Sequence, residues 1–114
     1  MISKKIYINL FIVVLFSSGC MQKKEMSIKS FNKLISHRNL GLAYLEEERY
    51  SDAAKEFTLF IDIAPAEASG YANLGWVYLQ SSDKLDSAEI MLEQAMKLSP
   101  DNPDIAILAA AVYA

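Results

Sequence analysis

The sequence predicts an all-α fold, in which pairs of helices stack side by side into an α-solenoid. Three observations carry this prediction. Leu40-Gly41-x-x-Tyr44 recurs thirty-four residues later as Leu74-Gly75-x-x-Tyr78, and a partial third copy stands at Ala109-Ala110-x-x-Tyr113. A period of that length marks stacked helical units. Apolar residues within each unit recur at spacings of three and four, the signature of one helix face. Each unit also closes on a proline, Pro65 and then Pro100, where the missing backbone donor and the ring end a helix.

The 114 residues fit one small domain. The apolar content of 53% is inflated by Ile6 to Phe16, where only Asn9 is polar. The formal net charge is −3; without its first 19 residues the chain carries nine basic and fourteen acidic groups. This acidic balance, with no Lys/Arg cluster along a groove, argues against nucleic acid as a partner. Cys20 is the only cysteine, so an internal disulfide is excluded.

At the N-terminus, Lys4 and Lys5 precede the eleven-residue apolar run Ile6 to Phe16. At about 1.5 Å per residue, that run is too short for a hydrocarbon layer of roughly 30 Å, and it has the length of a signal-peptide core. Ser17, Ser18 and Gly19 are small and lead directly to Cys20. The arrangement resembles a bacterial lipoprotein signal, although Ser17 stands where that family usually has leucine. The resemblance implies removal of residues 1–19, diacylglycerol on Cys20 and a lipid-anchored protein of the bacterial cell envelope. Met21 in place of aspartate implies the outer membrane, on its periplasmic or surface side. Two or three acyl chains suffice for such an anchor, at about 0.8 kcal/mol per buried methylene. Residues 20–33 then read as the lipidated cysteine and a polar tether. Lys23 and Lys24 either lie against anionic headgroups, at about 1 kcal/mol each, or belong to a solvated linker, which is the preferred reading.

Four helices and part of a fifth are expected beyond the tether. The pattern changes at Phe31, and the first helix is read from about Leu34 to Glu47, with Leu34, Leu40, Gly41 and Tyr44 inward. Glu46-Glu47-Glu48-Arg49 holds the turn. The second helix runs from about Tyr50 to Ile63, with Ala53, Phe57, Phe60 and Ile61 inward, and Ala64-Pro65-Ala66 ends it. The third runs from about Glu67 to Gln80, burying Tyr71, Leu74, Gly75 and Tyr78. Gly75 to Ala88 is one residue longer than Gly41 to Ala53, which places an extra residue in the turn Ser81 to Lys84. Asp83 and Asp86 suggest a capping box for the fourth helix, Leu85 to Leu98, with Ala88, Leu92, Ala95 and Met96 inward. Asn102 is placed to cap the fifth helix, Asp104 to Ala114, with Pro103 at its first position.

These units resemble the tetratricopeptide repeat, a helix-turn-helix of 34 residues. Leu40, Gly41, Tyr44, Tyr50, Ala53, Phe57 and Pro65 match its pattern in a first unit, residues 34–67. Tyr71, Leu74, Gly75, Tyr78, Ala88, Ala95 and Pro100 match in a second, residues 68–102. Residues 103–114 would be the first helix of an incomplete or capping third unit. His37 stands at the position favouring tryptophan, Leu92 replaces phenylalanine, and Phe60 stands where alanine is usual. Phe60 therefore needs a neighbour that shrinks or moves, or a role covering the open end of the stack against Phe31.

The resemblance implies antiparallel helix pairs coiled into a short right-handed superhelix, with the first helix of each pair lining a concave groove. Arg38, Leu42, Leu45, Asn73, Trp76, Leu79 and Gln80 would form that groove, with Ile35, Glu46, Ser69 and Ala72 beside them and Asp104 and Ile107 extending it. Trp76 is the sharpest candidate for a protein or peptide partner, since tryptophan brings rigid apolar area and a donor; packing of Trp76 on Ile28 and Phe31 is the alternative. Family members that grip a C-terminal carboxylate use asparagine, lysine and arginine where this chain has Leu42, Asp104 and Leu108. A more apolar ligand is therefore expected.

Nothing in the sequence suggests an enzyme, a metal or a cofactor. His37 is the sole histidine and reads as packed or partly buried. Glu46-Glu47-Glu48 reads as a solvated turn. The expected function is a membrane-anchored protein–protein interaction module for assembly of a cell-envelope complex. The alternative is the N-terminal scaffold of a larger secreted or surface protein with its active domain downstream. Ile105 to Ala114 has no charge, which suggests either a longer array or self-association through the last helix.

Overall fold

The computed structural model describes residues 25–114. They form five helices: α1 (Ile28–Glu46), α2 (Tyr50–Ile63), α3 (Ala68–Gln80), α4 (Leu85–Leu98) and α5 (Pro103–Val112). The signal-like leader, Cys20, Lys23 and Lys24 lie outside the described residues. None of the described helices is long and apolar enough to cross a membrane.

α2 and α4 have the bounds expected from the spacing, whereas α1 starts six residues earlier than Leu34. Its start is fixed by Ser27, whose hydroxyl accepts a hydrogen bond from the Ser30 N–H at 3.1 Å, satisfying one of the otherwise unpaired donors of the first turn. Asn102 does the same for α5, accepting from the N–H groups of Asp104 and Ile105, with Pro103 at the first position. The Asp83–Asp86 capping box is absent. Lys84 occupies the cap position of α4 and makes no side-chain cap bond.

The turns differ in the way their lengths imply. Between α1 and α2, Glu48 takes φ 59°. The Arg49 N–H bonds to the Tyr44 carbonyl and the Glu48 N–H to that of Leu45. This is a Schellman closure with glutamate in the left-handed position that glycine usually fills. The longer turn between α3 and α4 closes instead with the Lys84 N–H on the Ser81 carbonyl.

Adjacent helices pack in order: α1 on α2, α2 on α3, α3 on α4 and α4 on α5, with α3 also touching α5. This is an all-α stack of helix pairs of the solenoid kind. Close approach within each pair needs a residue without Cβ. A Cβ on Gly41 would lie 2.7 Å from the Phe57 ring, and one on Gly75 would lie 2.7 Å from Leu92. The central cluster joins the pairs: Ala53 and Phe57 of α2 bury Leu74 and Val77 of α3, with Tyr44, Tyr50, Tyr78 and Met91 around them. His37 is half-buried, and its Nδ1 lies 2.7 Å from Glu56 Oε2, tying α1 to α2.

Three expected packing roles are corrected. Leu40 is 45% exposed although the repeat spacing points it inward; its counterpart Leu74 is 5% exposed. Leu74 is covered by α2, whereas no helix precedes α1 among the described residues. Phe60 does not pair with Phe31, which is 53% exposed. It packs with Leu34 and Ala64, and room is made by Gly70, where a Cβ would lie 2.7 Å from the Phe60 ring. Ala72 is no groove residue either: it is buried with Ala95 and Ile105, because its single methyl ends beneath the α3–α4–α5 contact.

Candidate partner-binding groove

α1 and α3 open the two helix pairs and α5 follows the second, and one side of each contributes to a common surface. On α1 that side carries Leu42 and Leu45, on α3 Asn73 and Trp76, and on α5 Asp104, Ile107 and Leu108. The spacings of three and four within each helix keep these side chains on one face. Together they line a single open concavity of about 370 Å³.

The solenoid register explains the meeting. Leu42 and Trp76 hold the same place in their units, thirty-four residues apart, and Asn73 and Leu108 share another, thirty-five apart across the extended turn. Leu45, Asn73 and Leu108 are half-buried and make the floor, while Leu42, Trp76, Asp104 and Ile107 are exposed and make the rim. Leu45 also rests on the central cluster and Leu108 on the cluster around Ala95. The floor is thus fixed by the same packing that holds the stack. Trp76 is 41% exposed, and neither Ile28 nor Phe31 lines its concavity.

Of the seven groove residues expected from the sequence, Leu42, Leu45, Asn73 and Trp76 are brought together. Arg38, Leu79 and Gln80 are not among the lining residues. Arg38 lies a turn before Leu42, Gln80 is the exposed last residue of α3, and Leu79 is half-buried beside it. Leu108, which the sequence marks only as a lost arginine position, is part of the floor; its place one unit after Asn73 is the available signal.

Asp104 is the one ionisable residue lining the concavity. It sits in the first turn of α5, where a carboxylate is favoured by the helix dipole. The groove therefore offers apolar area, an amide from Asn73 that can donate and accept, and one negative charge. Such a surface suits apolar anchors accompanied by a cationic or donor group. It contains no nucleophile paired with a base. Among the described residues, no group of three or more His, Cys, Asp or Glu could hold a metal ion.

Residues 68–102, which span α3, the long turn and α4 and run on to the cap of α5, match the tetratricopeptide-repeat family. No curated protein and no solved structure matches the chain. A TPR-type repeat thus supplies Asn73 and Trp76 of the groove, and the same architecture continues on either side in α1–α2 and α5.

Proposed function

We propose that the chain is a non-enzymatic interaction module that binds a peptide or protein segment in the groove centred on Trp76. The observation that carries this reading is the meeting of Leu42, Trp76 and Ile107, from three different helices, around one concavity with Asp104 at its edge. Exposed aromatic and aliphatic side chains over a rigid floor are what an interface anchor needs. Leu42, Asp104 and Leu108 at the carboxylate-clamp positions favour a ligand with apolar side chains and a basic group over an acidic chain terminus.

The site of action we propose is the bacterial cell envelope, with the module held to the outer membrane through acylated Cys20 and serving assembly of an envelope complex. The support is the sequence order of Lys4-Lys5, the apolar run and Ser17-Ser18-Gly19-Cys20. Metabolic labelling with a palmitate analogue tests the anchor: label on the parent and none on Cys20→Ser is expected, and an unlabelled parent contradicts it.

The groove is tested by selecting from a displayed peptide library with the full chain. Peptides carrying large apolar residues next to lysine or arginine are expected. The pair Leu42→Ala and Trp76→Ala, both at exposed positions, keeps its helical circular dichroism and loses those peptides. Retention of the same peptides by the double variant refutes the reading.

A further inference from the structure

The net charge of −3 conceals a division along the chain. Residues 1–45 hold seven of the eleven lysines and arginines and one of the fourteen acidic residues, whereas residues 46–114 hold four and thirteen. α1 has no acidic residue before Glu46, its last, and carries Lys29, Lys33 and Arg38.

Lys29 and Lys33, four residues apart, border one shallow outer concavity with Ile28, Asn32, Ser36 and Leu40. This is the open flank of the stack, since on α3 the counterpart of Leu40 is covered by α2. Both lysines are exposed, and among the described residues neither is ion-paired. Large apolar side chains stand beside them in the same concavity: Ile28 is 81% exposed and Leu40 45%. Lys23 and Lys24 precede them in the sequence.

We infer that this flank of α1 lies on an anionic lipid surface. The match is one of chemistry and depth. A headgroup layer presents phosphate charge to ammonium groups and, a few ångströms deeper, an acyl boundary to Ile28 and Leu40; interfacial helices combine these two side-chain classes. An acidic protein face would satisfy the lysines and leave the neighbouring apolar side chains without a complement. The rest of the chain, with its thirteen acidic groups, is repelled by the same surface, so the charge division sets α1 towards the bilayer and α2–α5 away from it. The contact does not depend on acylation of Cys20.

The test is co-flotation of the full chain carrying Cys20→Ser, which removes any acyl contribution, on neutral phosphatidylcholine vesicles and on vesicles with phosphatidylglycerol added. The chain partitions more strongly onto the anionic vesicles, and the difference shrinks as salt rises. Each lysine near such a surface contributes about 1 kcal/mol, or roughly five-fold. Lys29→Gln with Lys33→Gln therefore lowers anionic partitioning roughly 25-fold and leaves neutral partitioning and helicity unchanged. Lys55→Gln with Lys97→Gln, the same loss of charge elsewhere, leaves the anionic preference in place. Equal losses from both pairs, or no loss from the α1 pair, overturn the inference. So does a lipid-free self-association that the α1 pair abolishes, because the flank would then be occupied by the acidic body of a second copy.

Discussion

Leu40 and Leu74 hold the same position in successive helix pairs, yet one is 45% exposed and the other 5%. Ala43 and Val77 repeat the contrast, with Ala43 exposed and Val77 buried. The residue type is not the cause, since both members of the first contrast are leucine. The cause is the helix on the outer side: α2 lies against α3, and nothing among the described residues lies against the same face of α1. In a solenoid, burial belongs to the interface between units as much as to the pattern within one.

The two inter-unit interfaces differ in a second way. Phe60 of α2 faces Gly70 of α3, and the equivalent residues thirty-five positions on are Ala95 of α4 and Ile105 of α5. The first interface is filled from the preceding helix and the second from the following one. A large residue and a small one have exchanged sides while the filling of the layer is kept, as close-packed interiors require.

The largest effect should come from breaking the first contrast. Leu74→Ala is expected to destabilise the fold by about 2–5 kcal/mol. Leu40→Ala should cost less than about 1 kcal/mol, because nearly half of the residue is already exposed. Denaturant unfolding of the two variants compares them directly, and equal losses would mean that α1 is covered on its outer side in solution.

Next comes the exchange of sizes. Gly70→Ile alone should cost about 1–3 kcal/mol by overpacking against Phe60. Adding Phe60→Ala should recover part of that loss, giving a favourable coupling in a double-mutant cycle. Additive losses would show that Phe60 and Gly70 do not share one space.

A smaller effect of opposite sign is expected in the first turn. Glu48 adopts a left-handed backbone that costs a side-chain-bearing residue about 1–2 kcal/mol, so Glu48→Gly should raise the free energy of unfolding by up to about 1 kcal/mol after the entropy lost by glycine. No equivalent gain is available in the turn after α3, since Glu48 is the only non-glycine residue with positive φ among the described residues. A loss of comparable size should come from His37→Ala, which removes the bond to Glu56 and costs about 0.5–1.5 kcal/mol. It should be measurable in the first pair alone, because Tyr71 stands at that place in the second and bonds to the Pro65 carbonyl instead.

What the sequence made legible follows the same division. The bounds of α2 and α4, the extra residue in the second turn and the Asn102–Pro103 start of α5 were readable, because each rests on local chemistry: a proline, a cap, a spacing. The start of α1 was also local, but its signal was a serine hydroxyl three residues before the N–H that it caps, not an apolar stripe. Leu40, Val77 and the Phe60–Gly70 contact were not readable from one unit's pattern, because each depends on the neighbouring unit. In the groove, Leu42, Leu45, Asn73 and Trp76 followed from the resemblance to the tetratricopeptide repeat. Arg38, Leu79 and Gln80 came with the same resemblance, but they lie outside the region where α1, α3 and α5 converge, and a repeat pattern does not reveal where the convergence stops.

The central claim is that Trp76 and its neighbours are a binding surface. Trp76 is the chain's only tryptophan, so intrinsic fluorescence reports on the groove without a label. The direct measurement is a titration of the full chain with a library-selected peptide that lacks tryptophan. We predict a saturable blue shift of the emission as the half-exposed indole is covered, and its loss in Leu42→Ala. Peptide binding that saturates by calorimetry while the emission stays unchanged would place the contact elsewhere and contradict the account.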